Sequence, residues 1–229
     1  MRAELRRVGK GQSAVVVVDG FSGNSEHIAE LASRLAPFPP APRTNYYPGL
    51  RRVIAEDDGE ANDYVNRTCA EAAQFIYGAF DIESFSLIEA SFSLVTSQPE
   101  ELAPPQRIPH FDSTNPKYLA LLHYLRVPEG TGTAFYRQRS TGIEQVTDSN
   151  LQAFVKTARQ EVRELPDSAG YIHGSTAHFE QIGSVEGIAD RLVIYQGSLL
   201  HSGIIPPDMS FSPDPEDGRL TANIFVLGH

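Results

Sequence analysis

The spacing of apolar residues changes along the chain from one typical of helices to one typical of strands. A β-branched run at 14–18 stops at Asp19 and Gly20, which indicates a buried strand. Apolar positions then recur every three or four residues in 25–35 and in 60–79, and this periodicity predicts two helices. The proline-rich stretch 36–49 between them predicts a loop. After the second helix, SFSLIEASFSLVTS at 84–97 is a further strand-like run.

From residue 107 onward, short apolar runs alternate with Pro, Gly, Ser and Asp turns. The strand-like runs are YLALLHYLRV, TAFYRQRS, RLVIYQGSLLH and RLTANIFVLG, and one helix is predicted over about 150–165. This order predicts an α+β fold in which many short strands close into a barrel or sandwich. We expect one domain over 1–229, with about 1–106 supplying an N-terminal strand and supporting helices and about 107–227 forming the barrel core.

Composition and charge narrow the class of partner. The net charge of −10 over 229 residues argues against nonspecific binding to nucleic acid or to an anionic membrane, since both reward positive charge. Cys69 is the only cysteine, so no intramolecular disulfide forms, and its helical context favours a small core residue over a nucleophile. No apolar run is long enough to span a bilayer or to resemble an export signal, which favours a cytoplasmic location.

The stretch RIPHFDSTNP carries the first candidate chemistry. In an extended chain, residues two apart point to the same side, so His110 and Asp112 face one way and Phe111 faces the other. An imidazole and a carboxylate side by side form most of a metal site if a distant strand adds a third ligand. His201 is the best candidate because it ends an apolar run and precedes a Ser-Gly turn.

The remaining histidines fit other places. His27 falls on the exposed side of the first helix, His123 has apolar neighbours typical of a core, and His229 is the terminus. His173 and His178 lie in a Gly/Ser/Thr loop. Two imidazoles and one carboxylate leave one face of an octahedral metal open, which suits Fe(II) that binds a cosubstrate and O2. Zinc is the rival, because it accepts the same ligands with a water.

A second candidate lies in the last strand-like run. Arg219 and Thr221 are on one side of it, while Leu220, Ala222 and Ile224 are on the other. An arginine that points into a barrel requires an anion, and its fork suits a carboxylate. The alternative is a surface salt bridge with one of three acidic residues just before it, Asp214, Glu216 and Asp217.

In this order, the segments HFD, LLHSG and RLT resemble the Fe(II)- and 2-oxoglutarate-dependent dioxygenases. VVVVDGFSGNSEHIAELA is similar to the strand, Asp-x-Phe turn and helix that open prolyl-hydroxylase-like members, and LLHYLRVPEGTGTAFYR is similar to their second core hairpin. The resemblance covers 14–35 and most of 107–227, and it suggests a bacterial branch of this superfamily.

The resemblance implies a double-stranded β-helix of the jelly-roll or cupin-like type, flanked by helices. It implies that His110, Asp112 and His201 bind Fe(II). Arg219, helped by Thr221, would hold the distal carboxylate of 2-oxoglutarate, and a tyrosine would assist. Its two candidates are Tyr124 and Tyr118.

The implied reaction consumes O2 and releases succinate and CO2 while oxidising a small molecule or an amino-acid side chain. Halogenating relatives replace the metal-binding carboxylate with a small residue, so Asp112 favours hydroxylation or a related oxidation over halogenation. One departure is the separation of 18 residues between His201 and Arg219, filled by IIPPDMSFSPDPEDG, which predicts a surface loop.

The stretch RTNYYPGLRR predicts a substrate loop for an anionic or aromatic group. Its charged and aromatic members are Arg43, Tyr46, Tyr47, Arg51 and Arg52. A solvated loop packed on the barrel is the alternative.

Three other functions remain open. The first is a β-helix domain that binds a ligand without catalysis, and the second is a cupin-like enzyme with zinc or manganese and no 2-oxoglutarate. The third is a nucleotide-binding protein, suggested by the strand and glycine-containing turn VVVVDGFSGN. This turn lacks both a dinucleotide fingerprint and a P-loop lysine, so the third function ranks last.

Overall fold

A computed structural model describes residues 1–41, 47–166 and 168–229. The described residues form ten strands and three α-helices. The strands are β1 Arg2–Val8, β2 Ser13–Asp19, β3 Gly49–Val53, β4 Phe85–Val95, β5 Tyr118–Arg126, β6 Gly132–Gln138, β7 Phe179–Glu186, β8 Arg191–Gln196, β9 His201–Ile204 and β10 Leu220–Gly228. The helices are α1 Ser25–Arg34, α2 Glu60–Ala79 and α3 Leu151–Arg163. In these ranges no helix has both the length and the apolar character needed to cross a bilayer.

The strands form two antiparallel sheets. The large sheet has the order β1-β2-β8-β5-β10-β4-β3, and the small sheet has the order β7-β6-β9. The three predicted helices are confirmed within two residues at each end, as are the strands β2, β4, β5, β6 and β10. The sequence analysis missed β1, β3 and β7, which carry many charged, glycine and half-buried residues and so lack an apolar run.

The run RLVIYQGSLLH was predicted as one strand, and this is wrong. β8 ends at Gln196 in the large sheet, and His201 begins β9 in the small sheet. The turn at 197–200 therefore carries the chain from one sheet to the other, as happens where strands change sheets in sandwiches. Its apolar residues Leu199 and Leu200 are buried because the turn passes through the interior, which explains why its sequence looks like a strand.

Alternation along the strands separates two cores. On β5, Leu119, Leu121 and Leu125 face α1 and α2, whereas Ala120 and Tyr124 face the small sheet. The helices thus cover the outer face of the large sheet, and a second apolar cluster lies between the sheets. α3 packs on the other side of the small sheet. A site between the sheets is therefore enclosed on both sides by packed layers.

A buried polar chain ties the large sheet to the helices. The Tyr64 hydroxyl lies 2.9 Å from Nδ1 of His123, and Nε2 of His123 lies 3.0 Å from Oδ1 of Asp190. Asp190 also accepts hydrogen bonds from the backbone and side chain of Ser22 and from the backbone of Gly23, in the turn before α1. His123 is fully buried, so the predicted core position is confirmed, and it lies outside the candidate cluster of His110, Asp112 and His201. The imidazole joins α2, β5 and the turn after β2.

The carboxylate of Asp190 should therefore stabilise the fold. Burial raises the pKa of Asp190, but the hydrogen bonds from His123, Ser22 and Gly23 outweigh it and hold the pKa well below the ordinary 3.8. In Asp190→Asn the amide NH2 must replace an acceptor oxygen, so we expect the free energy of unfolding at pH 7 to fall by about 3 kcal/mol in chemical denaturation.

Because the folded pKa is depressed, this stabilisation is present above pH 3.8 and is lost as the pH falls through the lower folded value. The difference between the two proteins should therefore shrink in acid. Asp208→Asn, at an exposed aspartate, serves as the control and should leave stability unchanged. Equal stability of Asp190→Asn and wild type at pH 7 would show that the polar chain contributes nothing.

Candidate active site

The structure brings His110, Asp112 and His201 together. One ligand atom from each lies within 4.8 Å of the others. Nε2 of His201 is 3.6 Å from Oδ2 of Asp112, and Nε2 of His110 is 3.9 Å from Oδ1 of the same carboxylate. Three donors around one point, two nitrogens and one oxygen, form a set that could bind a divalent transition metal.

Backbone pairing explains how two distant histidines meet. The N–H of His110 donates to the carbonyl of His201, the reverse bond is also made, and both measure 2.9 Å. The N–H of Asp112 donates to the carbonyl of Gly197 at 2.7 Å. The segment from 110 to 112 therefore runs beside β9 like a short extra strand. As predicted, Phe111 faces the other way, and its ring packs on Phe154 of α3 at 5.7 Å between centroids.

A hydrogen bond fixes the ring of His201. Its Nδ1 lies 2.7 Å from the carbonyl of Leu199, so Nδ1 carries the proton and Nε2 presents its lone pair to Asp112 and His110. Such a backbone acceptor behind a metal-binding histidine orients the ring and selects the tautomer. His201 is 5% exposed, and burial lowers its pKa to about 4, which keeps the imidazole neutral at pH 7.

The carboxylate of Asp112 lies in a less favourable setting. Burial raises its pKa to about 6, although His110 and Arg51 act in the opposite direction. The Asp112 side chain is 17% exposed, and a carboxylate shielded this far without a strong partner is stabilised by a cation placed beside it. The His110 side chain is 54% exposed, so the mouth of the site opens at this residue.

Arg219 lies inside, between the two sheets. It is 4% exposed, its Nη2 donates to the carbonyl of Gly132 at 3.3 Å, and its Nε is buried with no hydrogen-bond partner. No acidic side chain of the described residues forms a salt bridge with it. The alternative of a surface salt bridge with Asp214, Glu216 or Asp217 is therefore wrong. A buried guanidinium without a counter-ion is a site for an anion.

Tyr124 lies against this guanidinium, and Thr221 is buried nearby on the same strand end. The carbon at the centre of the Arg219 guanidinium is 5.6 Å from the centre of the Tyr124 ring, and the Tyr124 hydroxyl lies 2.7 Å from Oγ1 of Thr133. Thr221 is buried on β10, two residues after Arg219, and its hydroxyl lies 3.5 Å from Oδ1 of Asn223. Of the two candidate tyrosines, Tyr124 is the one beside Arg219.

Tyr118 lies at the metal end instead. A side chain at Gly197 would come within 2.7 Å of the Tyr118 ring and 3.2 Å of Cβ of Asp112, so both residues pack on this glycine. Tyr195, which the sequence analysis missed, also lies here, and its ring meets His201 edge to face at 4.8 Å between centroids. Tyr195 was hidden inside an apolar strand, and nothing in the sequence separates it from a core tyrosine.

Tyr47 is a second residue whose place was not foreseen. Burial raises its pKa, while the charges of Arg219 and Arg51 and the side chains of Ser93 and Thr221 lower it. The Tyr47 hydroxyl therefore lies within reach of the positive charge of Arg219. The sequence analysis assigned Tyr47 to a substrate loop, because the only feature that distinguished it was its position among arginines in the sequence.

Part of the segment between His201 and Arg219 packs on Tyr47. Ile205 and Met209 are buried against Val95, and Tyr47, Tyr171 and Phe211 pack on them. The predicted surface loop is thus partly buried, with its apolar side chains packed on the end of β4. The long separation between His201 and Arg219 leaves Arg219 in place.

The two arginines of β3 point in opposite directions. Arg51 is buried and bonds to Glu89 and Ser91, whereas Arg52 bonds outward to Asp58 at 2.7 Å. Arg43 and Tyr46, named with them as a substrate loop, lie outside the described residues.

The overall fold is similar to that of several solved structures. The structure resembles the non-heme alpha ketoglutarate dependent epimerase SnoN from nogalamycin biosynthesis, with 16% identity, a TM-score of 0.54, and coverage of 94% of this chain and 78% of SnoN. AviO1 from Streptomyces viridochromogenes Tue57 gives 16% identity, a TM-score of 0.55, and coverage of 94% and 90%. The viral collagen prolyl hydroxylase from Paramecium Bursaria Chlorella virus-1, solved as a 2-oxoglutarate complex, gives 10% identity, a TM-score of 0.50, and coverage of 94% and 96%.

The predicted resemblance to Fe(II)- and 2-oxoglutarate-dependent oxygenases is confirmed at the level of fold. None of the curated proteins matches the sequence. The family described as "Family of unknown function (DUF6445)" matches residues 1–226, and the chain belongs to this family.

Proposed function

We propose that this protein is an Fe(II)- and 2-oxoglutarate-dependent oxygenase that hydroxylates a small molecule or an amino-acid side chain. The observation that carries the proposal is the pairing of a His-Asp-His cluster with a buried, uncompensated arginine inside one sheet sandwich. A metal site alone would need no arginine, and an anion site alone would need no triad.

The proposed fold is a double-stranded β-helix spanning one domain of residues 1–229. Its eight strands would be β4, the segment at His110, and β5 to β10. In chain order they lie in the large, small, large, small, small, large, small and large sheets. This alternation between two packed sheets is that of a jelly roll. β4 begins before residue 107, so the barrel would start earlier than the predicted boundary.

The donor chemistry of the triad fits Fe(II). Two neutral imidazoles and one carboxylate occupy one side of the metal and leave positions for other ligands, as in non-heme iron oxygenases. The Leu199 carbonyl holds the His201 ring in one orientation. The half-exposed ring of His110 leaves one side of the site open. Asp112 would gain a cation that offsets its burial.

The separation of the two ends fits a five-carbon diacid. His201 pairs with Phe135 on β6, and Arg219 bonds to Gly132, three residues along the same strand. At about 3.3 Å per residue this is roughly 10 Å. A diacid that reaches a metal at one end and a guanidinium at the other spans a similar distance.

Each residue would then have one task. When bound, Fe(II) and 2-oxoglutarate supply O2 activation coupled to decarboxylation of the cosubstrate to succinate and CO2. Arg219 would bind the distal carboxylate, Thr221 and Tyr47 would line it, and Tyr124 would support the guanidinium with its ring. Tyr195 would hold His201 and exclude water from the interior.

The carboxylate of Asp112 leaves no free ligand position for chloride, which favours hydroxylation or a related oxidation over halogenation. The cupin-like alternative, with zinc or manganese and no 2-oxoglutarate, offers no counter-ion for Arg219. A ligand-binding domain without catalysis gives no reason for a metal triad with an oriented tautomer. Both alternatives remain outcomes of the tests below.

Removal of one metal ligand tests the triad. We expect His201→Ala to weaken Fe(II) affinity on the order of 100-fold, because only two donors remain. Anaerobic reconstitution followed by measurement of bound iron gives the result. His27→Ala is the matched control, since His27 is an exposed histidine of α1 paired with Glu30. Equal iron content in His201→Ala and wild type would disprove the triad.

Removal of the buried guanidinium tests the cosubstrate. Arg219→Met should retain iron but weaken 2-oxoglutarate binding by about 10- to 100-fold, because a charge-assisted hydrogen bond is lost. The measurement is an anaerobic titration that follows the visible metal-to-ligand charge-transfer band. Arg139→Met, at an arginine that donates to the Thr176 carbonyl, is the control and should titrate as wild type.

The same titration of the wild type separates the alternatives. A band that O2 bleaches with release of succinate supports the proposed function. Iron binding without a band favours the cupin-like alternative. A wild-type protein that binds no metal at all would leave only the non-catalytic domain.

A further inference from the structure

We propose that the wall beside the metal centre binds the head group of a free amino acid, with Arg51 taking its α-carboxylate and Glu89 its α-ammonium group. The inference rests on the proposed function, because it names the substrate class of the same site. It is carried by a buried arginine that the metal and cosubstrate do not use.

Arg51 has a donor that the protein leaves unused. Arg51 lies on β3 opposite Ser93 and is 8% exposed. Its Nη2 donates to Oε1 of Glu89 at 2.7 Å and to Oγ of Ser91 at 2.8 Å. Its Nε is buried with no hydrogen-bond partner. A buried donor without an acceptor costs about 1–3 kcal/mol, so an acceptor from a ligand would be favourable here.

Glu89 supplies the opposite charge at the same place. Its side chain is 40% exposed, and only Oε1 takes a hydrogen bond among the described residues. A guanidinium and a carboxylate in contact complement a carboxylate and an ammonium carried by one carbon atom. A dianion such as a phosphate would be repelled by Glu89, which argues against a phosphorylated substrate.

A series of neighbouring side chains links this pair to the triad. Asp112 and Tyr118 pack on Gly197, the Tyr118 ring stacks on Phe225 at 5.6 Å, and Phe225 lies opposite Glu89 in the sheet. The charges of Arg51, Glu89 and Asp112 also all act on Tyr118. Burial and the charges of Asp112 and Glu89 raise the pKa of Tyr118, while Arg51 lowers it.

The spacing of the strands sets the form of the substrate. Tyr118 on β5 and Glu89 on β4 are separated by β10, and two inter-strand steps are about 10 Å. The α-carbon held at Glu89 would therefore lie away from the metal, and the oxidised carbon would be in the side chain. The rings of Tyr118 and Phe225 offer an apolar floor for such a chain. We thus expect an amino acid with at least three side-chain carbon atoms.

Anaerobic calorimetry on the full chain loaded with Fe(II) and 2-oxoglutarate tests the inference. The probes are lysine, ornithine, arginine, leucine and methionine, each compared with its carboxamide and its N-acetyl form. At least one free amino acid should bind, and its carboxamide should bind about 10- to 100-fold more weakly. In turnover with that amino acid, succinate release should be stimulated.

Two variants assign the contacts. Arg51→Met should weaken binding of the amino acid by about 10- to 100-fold and leave its carboxamide unchanged, with Arg51→Lys recovering part of the loss. In turnover, KM for the amino acid should rise more than kcat falls. Glu89→Gln, at a more exposed position, should weaken the free amino acid but not its N-acetyl form. Arg52→Met, on the outer face of β3, is the matched control and should bind as wild type.

Three results would overturn the inference: no probe binds, the carboxamide binds as well as the acid, or Arg51→Met weakens both equally. The last result would make Arg51 and Glu89 a structural pair. Failure of the proposed function looks different, because the wild type would then form no charge-transfer band with 2-oxoglutarate. A band without amino-acid binding would contradict only the inference made here.

Discussion

The backbone pairing of His110 with His201 is the interaction on which the site depends. Two mutual hydrogen bonds hold a segment without regular structure against β9, and they fix the positions of two imidazoles whose centroids are 4.3 Å apart. Asp112 follows two residues later and is fixed by the Gly197 carbonyl. The candidate ligand set is thus held by main-chain geometry, which places side chains more accurately than a flexible loop does. Side-chain contacts, such as Phe111 on Phe154, only complete the arrangement.

Gly197 shows how tightly the parts are joined. The turn after β8 must pass between Asp112 and Tyr118, and any Cβ at this position would collide with the Tyr118 ring. The same glycine gives its carbonyl to Asp112 and its N–H to the carbonyl of Tyr118. A candidate metal ligand and the Tyr118 ring therefore pack against one small residue of main chain.

Much of this arrangement follows from local sequence, and the rest depends on contacts that sequence does not encode locally. The helices and the long strands have clear apolar periods, and the HFD spacing correctly placed Phe111 opposite His110 and Asp112. The prediction of a single strand ending at His201 was wrong, because the buried turn before His201 is as apolar as a strand. Tyr47 and Tyr195 could not be recognised, since their positions beside Arg219 and His201 arise from sheet packing. Arg51 and Arg52 are adjacent in sequence, and only the register of β3 decides which one faces inward.

The contact between the two sheets near Arg219 and His201 affects how the protein opens locally. Arg219 enters from the large sheet and touches Gly132 of the small sheet, while His201 belongs to the small sheet. A diacid held at both ends would act as a removable cross-link between the two layers. Without the diacid, the two sheets should open locally along this contact before the rest of the protein does. The slowest hydrogen exchange should then occur at amides under α1 and α2, which lie away from this contact. Occupancy by the small ligand would then be visible as slower hydrogen exchange in both sheets at once.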